Sequence, residues 1–432
     1  MNKKMWFLLL LSIIAGFSLS AIFLLALKPP TEAAAAQPAD VLAPAVSSYR
    51  LLAWNDLGMH CYNRDFTDMA VLPPYNNLWA QVVLVGNPPQ LVTTGIQVTY
   101  VFTDNTYSVG KSNFWTYAQH LFSLKNPLPD NVGLKGKGLS GTMDLAGDHF
   151  VAEGIPLTEF SDSAPAVAQP YQLALITVKD SSSQAILAEA RVVAPVSTEM
   201  HCDYCHGDTG IATVSGGITG TGKVETNILA LHDKLELAKY PSSSPAKLMD
   251  SRPVLCAKCH ASNALGAPGV MGIMNLSKAM HTRHTGVSGI TPDTSGCYNC
   301  HPGPVTQCLR DVMSQEAGMT CISCHGDITH VATNPNPWLY EPRCDTCHSD
   351  SVYQNQALYR HSLGHSGIYC EGCHDSTHAI ATSREPRDAI KFIALQGHAG
   401  TLSDCLVCHS TQPTGNFQHY VPLQIYLPVV HR

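Results

Sequence analysis

The pentapeptide Cys-x-x-Cys-His occurs seven times in this 432-residue chain, starting at Cys202, Cys256, Cys297, Cys321, Cys344, Cys370 and Cys405. The copies take fourteen of the sixteen cysteines. On one turn of helix, residues three and four apart share a face, so each copy can present two thiols and an imidazole to the same object. Structural zinc commonly draws on two Cys-x-x-Cys pairs close together and does not require a histidine after each one. A thioredoxin-like redox pair would occur once, within a βαβ pattern. Disulfides within each motif would leave the histidine unexplained.

The repeated spacing is the attachment signature of c-type haem. Thioether bonds to the porphyrin would come from Cys202 and Cys205, Cys256 and Cys259, Cys297 and Cys300, Cys321 and Cys324, Cys344 and Cys347, Cys370 and Cys373, and Cys405 and Cys408. The histidine after each pair would be the fifth iron ligand: His206, His260, His301, His325, His348, His374 and His409. Successive motifs start 54, 41, 24, 23, 26 and 35 residues apart. With so little protein between the third and sixth motifs, neighbouring porphyrins should lie almost in contact and supply the apolar core that this polar half of the chain lacks.

A sixth protein ligand closes the iron to substrate, so the remaining histidines bear on function. Nine are candidates: His232, His281, His284, His330, His361, His365, His378, His398 and His419. His281 and His284 are three residues apart, and His361 and His365 four, so each pair could serve two neighbouring haems. His60, His120, His149, His201 and His431 are poorer candidates by position.

Residues 197–420 resemble a multihaem c-type cytochrome with seven haems. The resemblance implies haem attachment outside the cytoplasmic membrane and electron transfer through closely stacked haems, mostly with two histidine ligands each. It leaves two rivals open. One is a multihaem reductase with an open-coordination iron, although all seven motifs end in His rather than in the Lys of some multihaem nitrite reductases. The other is a haem-bearing filament or surface module. Partners would be redox proteins or an extracellular electron acceptor, with self-association through terminal haems as a further option.

The rest of the chain fits an exported protein. Lys3 and Lys4 precede an uncharged apolar run from Trp6 to Leu27, so residues 1–28 read as a signal peptide or an N-terminal membrane anchor. By the positive-inside rule the body lies outside, periplasmic or at the cell surface. A Pro/Ala-rich linker over 29–48 follows. Residues 49–196 carry short β-type runs at Tyr49–Trp54, Leu78–Val85, Ile96–Thr103, Gln172–Lys179 and Ile186–Val193, with alternation clearest in the third and fourth, which predict an all-β, sandwich-like domain ahead of a loop-rich, short-helical haem domain. In that β-rich stretch, the run from Trp54 to Cys61 reads as structural, because adjacent His60 and Cys61 would point apart on a strand. Residues 421–432 form an apolar strand or tail. Cys61 and Cys308 are left over and could join in a disulfide. The net charge of −7, to which each haem would add two propionates, disfavours nucleic acid and favours cationic or metal-oxide partners.

Overall fold

Strand propensity and period-two patterning are strongest between residues 49 and 197, and the sheets lie there. The structure, a computed structural model, describes residues 47–347, 356–378 and 381–414. The predicted leader, most of the linker and the C-terminal tail, together with His348, His419 and His431, lie outside them. The described residues belong to one compact unit.

The strands are β1 (Tyr49–Trp54), β2 (His60–Cys61), β3 (Met69–Ala70), β4 (Asn77–Leu84), β5 (Gln90–Leu91), β6 (Ile96–Phe102), β7 (Ser140–Thr142), β8 (Asp144–Ala146), β9 (His149–Glu153), β10 (Tyr171–Asp180), β11 (Ile186–Ser197) and β12 (Val254–Leu255). One sheet runs β1-β4-β9-β8, with β5 also on β4, and the other runs β2-β11-β10-β6-β7. The five predicted runs coincide, within a few residues at their ends, with the five longest strands.

Alternate residues of both sheets meet in a single core. Leu51 and Ala53 of β1 and Leu78, Ala80 and Val82 of β4 pack with Val98, Tyr100 and Phe102 of β6, Ile176 of β10 and Val192 of β11. The intervening residues are also buried: Leu52, Trp54, Trp79 and Val83 form a second cluster with Ile368, Tyr369, Leu402 and Cys408. Thus β1 and β4 are not half-buried strands. The cysteine-rich half covers their outward face, so the two halves share interfaces rather than standing apart.

That second half has little apolar packing of its own. Among the described residues, Pro302 is the only apolar side chain buried between Ala257 and Ala381. Its regular structure is short, with the helices Val224–Glu236 and Leu276–His284 the longest after β11. Asn275 caps the second of these, its side chain accepting from Lys278 N at 2.8 Å.

Candidate functional site

Each described motif forms about one helical turn. His206 N donates to Cys202 O at 2.8 Å, His260 N to Cys256 O at 3.0 Å, His301 N to Cys297 O at 3.0 Å and His409 N to Cys405 O at 2.9 Å. This closes the i to i+4 ring and brings both thiols and the imidazole to one face. Local sequence starts these turns. Asp293 accepts from Ser295 N and Gly296 N ahead of the third motif, Thr320 and Ser323 form a capping box around the fourth, and Asp404 accepts from Leu406 N in the seventh.

The structure brings five motif histidines close to five of the nine candidates, two pairs with near-parallel rings and three with steeply crossed ones. Ring centres are 6.3 Å apart for His206 and His284, 6.4 Å for His260 and His232, and 6.1 Å for His301 and His281. They are 5.8 Å apart for His325 and His378 and 5.9 Å for His409 and His365. An imidazole nitrogen lies about 2.0–2.1 Å from a bound transition metal and its ring centre about 1.1 Å further back, so two imidazoles on opposite sides of one ion have centres roughly 6.2–6.4 Å apart. Two of the pairs fall in that range and the other three lie within about 0.4 Å below it, close to the spacing of two axial ligands on one iron. Among the described residues no three His, Cys, Asp or Glu side chains converge as a metal site. His281 and His284, on one helix, face different motifs.

Tautomer control matches this geometry. Nδ1 of His281 lies 2.7 Å from Ser277 O, that of His284 2.7 Å from Met280 O and that of His260 2.8 Å from Met274 O. His232 Nδ1 meets Tyr240 Oη at 2.8 Å, and that hydroxyl donates to Asp233 Oδ1 at 2.8 Å. An Nδ1–H donating to oxygen leaves the Nε2 lone pair for a metal. Desolvation by the surrounding chain pushes His206, His301 and His378 down to about 4, keeping each imidazole neutral at pH 7. His378 is held at φ 63°, in the left-handed region where His is enriched among side-chain-bearing residues.

The first six motifs open onto one cleft of about 4070 Å³, several times the roughly 300–1,000 Å³ of a pocket for one drug-sized ligand. Thiols of the first six motifs line it, as do Met274, Met280, Trp338 and Leu339, all large apolar side chains more than 40% exposed. A flat apolar ligand in the cleft would cover them.

The other candidates have different surroundings. His330 lies 6.0 Å from the ring of Tyr340, His361 lies 6.1 Å from that of Trp79, and the exposed His398 has Nδ1 3.0 Å from Ala399 O. His374 O accepts from Thr382 N at 3.0 Å. Cys61 and Cys308 are both thiols. Burial raises both well above the usual range, to about 12 for Cys308, and each also feels nearby acidic groups, Cys308 among those acting on Cys61.

The β half contributes what the motif pattern does not reveal. Gln81 of β4 donates to Gly367 O at 3.0 Å and accepts from Tyr369 N at 3.1 Å, pinning the segment before the sixth motif to the sheet. Buried Lys391 donates to Ala53 O at 2.7 Å and pairs with Asp375 at 2.8 Å, just past His374. Between them, Glu371 is buried and pushed well above the carboxylate range by desolvation. His60, read as structural, is buried with Nε2 2.9 Å from Pro73 O. No family model, curated protein or solved structure matches this chain. Among the described residues no helix is long and apolar enough to cross a membrane.

Proposed function

We propose that the chain carries seven covalently attached c-type haems and conducts electrons through them outside the cytoplasm. The observation that carries this reading is the set of five histidine pairs, each joining a motif histidine to one distant in sequence close to the spacing of two axial ligands. The apolar-lined cleft and the lack of buried apolar side chains other than Pro302 between Ala257 and Ala381 among the described residues support it further, since a porphyrin would supply the missing contacts. Bound haem supplies a one-electron ferrous/ferric couple, so each electron gained by one iron is lost by a neighbour or by an external one-electron donor. The protein's part is to tether the ring through two thiols, hold both axial imidazoles neutral and oriented, and set the polarity around each site.

Two histidines on one iron leave no position for substrate, which favours a carrier over a reductase at these five sites. Expression in a host that attaches haem, followed by intact mass and optical spectroscopy, tests the reading. Seven covalent haems with the five sites in low-spin, six-coordinate form are expected. A protein recovered without thioether-linked haem would refute it, and a ligand-binding high-spin signal at any of the five would move the reading to an enzyme.

A further inference from the structure

We infer that the seven motifs form a single spatial row that departs from sequence order at one end: second, first, third, fourth, fifth, sixth, seventh. The inference rests on the haem reading above and concerns the arrangement of this chain's own attachment sites. Its consequence is that an external electron donor or acceptor meets the row end-on at the second motif or at the seventh, and not at the first.

The links can be followed contact by contact. The helix Val224–Glu236 joins the second motif to the first. Asn227 on it donates to His206 O at 2.9 Å, and His232, about 7.5 Å further along the axis, faces His260. One turn beyond His232, Glu236 interacts electrostatically with Arg283, the neighbour of His284. The helix Leu276–His284 joins the first motif to the third, with His284 turned to His206 and His281 to His301. The third and fourth are direct neighbours, since the turns Thr294–Cys297 and Cys321–His325 pack against each other.

Tyr340 spans the fourth and fifth: its ring lies 6.5 Å from that of His325, four residues before Cys344. Tyr359 ties the fifth to the sixth, with its N donating to Glu341 Oε2 at 2.7 Å and its hydroxyl to Asp375 O at 3.0 Å. Leu402 N donates to Cys373 O at 3.0 Å, bringing in the seventh, whose Cys408 packs, like Tyr369, against the cluster of Leu52, Trp54, Trp79 and Val83.

Both ends are fastened to the β half by main-chain pairing. β12, immediately before Cys256, pairs in parallel with β3. At the other end Gly86 N donates to Cys408 O at 3.2 Å and Ser410 N to Gly86 O at 3.0 Å. The interior motifs are linked on two sides.

Iron positions in the haem-loaded full-length protein, from anomalous X-ray scattering or electron cryo-microscopy, test the order. The iron at His260 should have the iron at His206 as its nearest neighbour, and the iron at His206 should be flanked by those at His260 and His301. An iron at His260 nearest to that at His301, or an iron at His206 with a single neighbour, would overturn the inference while leaving the haem reading intact. Absence of covalent haem from the matured protein overturns the haem reading and the order with it. As a second readout, Cys256→Ser with Cys259→Ser should remove one centre and perturb the midpoint potential at one neighbouring site. Cys202→Ser with Cys205→Ser should perturb the potentials at two. Equal effects would count against the order.

Discussion

Gly58→Ala couples backbone geometry to a proposed iron ligand and can be worked through from the structure. Gly58 sits at φ 65°, and a Cβ there would overlap the backbone carbonyl oxygen of Thr377. The next residue, His378, faces His325 with ring centres 5.8 Å apart. Two costs follow. Holding alanine in the left-handed region costs about 1–2 kcal/mol. The overlap adds a second, because an ordinary C···O contact is about 3.3 Å and the Thr377 loop must retreat by roughly 1 Å to allow it. Metal–nitrogen distances tolerate only about 0.2 Å, so a retreat of that size breaks the opposition of His378 and His325.

Gly95→Ala is the control, since Gly95 has φ 73° and an added Cβ would meet nothing within 4 Å. It carries the first cost without the second. Denaturant midpoints and optical spectra of the haem-loaded proteins separate the two. Gly95→Ala should lose about 1–2 kcal/mol and keep an unchanged low-spin spectrum. Gly58→Ala should lose more and convert one iron to a high-spin form that binds cyanide. If both variants lose the same stability and neither changes its spectrum, the reasoning fails.

Other consequences can be measured in the same material. Near-parallel imidazoles give low-spin ferric iron a rhombic paramagnetic resonance signal and steeply crossed ones a highly anisotropic signal; the planes of His281/His301 and His325/His378 cross at 20° and 19°, against 74°, 80° and 64° for the other three. At least two centres of the first kind and three of the second are therefore expected, and a spectrum of one kind alone would be inconsistent with these pairs. Lys391→Met strands the buried Asp375 carboxylate and should cost about 3–5 kcal/mol, with much of it recovered on adding Asp375→Asn; a loss under about 1 kcal/mol would contradict the burial. Desolvation pushes Asp56 up to about 6, against the nearby Arg360 cation, so its contribution to stability is fully present below the ordinary 3.8 and lost as pH rises through about 6. Asp56→Asn should therefore gain on the wild type by up to about 3 kcal/mol between pH 4 and 7, and a pH-independent difference would refute the shift. Protein expressed without haem attachment should be cut by protease first between residues 258 and 380, where the described residues bury no apolar side chain but Pro302; initial cleavage within β10 or β11 would argue otherwise.

What was legible in the sequence follows from how local each signal is. The five longest strands and the motif turns depend on residues within one element, and alternation or i, i+3, i+4 spacing reveals them directly. The three-residue spacing of His281 and His284 fits the helix they share, whereas His361 and His365, four apart, lie on two separate short turns. What covers the outward face of β1 and β4 was not legible: the unbroken apolar run Leu51-Leu52-Ala53-Trp54 is consistent with burial on both faces, but nothing local names the segment that packs there. Nor were the ligand partners: His206 meets a residue 78 positions away, and His365 reaches forward past the sixth motif to His409. The run from Trp54 to Cys61 invited a metal reading, yet its chemistry is in backbone geometry, with Gly58 admitting the Thr377 carbonyl and Asn55 O accepting from Ser376 Oγ.

These contacts explain why a row of attachment sites is joined to a β-rich half at all. A chain between Cys256 and Cys373 with so little apolar packing has no means of fixing the relative positions of its own motifs, and the proposed conduction between neighbouring sites would depend on those positions. The two sheets are rigid because they own the one extensive apolar core. They hold the second motif through β3, the sixth through Gln81 and Lys391, and the seventh through Gly86. With those points set, the motifs between need only span fixed gaps, which short capped turns and shared helices can do. The β half thus acts as the template on which the row is laid, and weakening a contact between the halves should disturb the sites sooner than it unfolds the sheets.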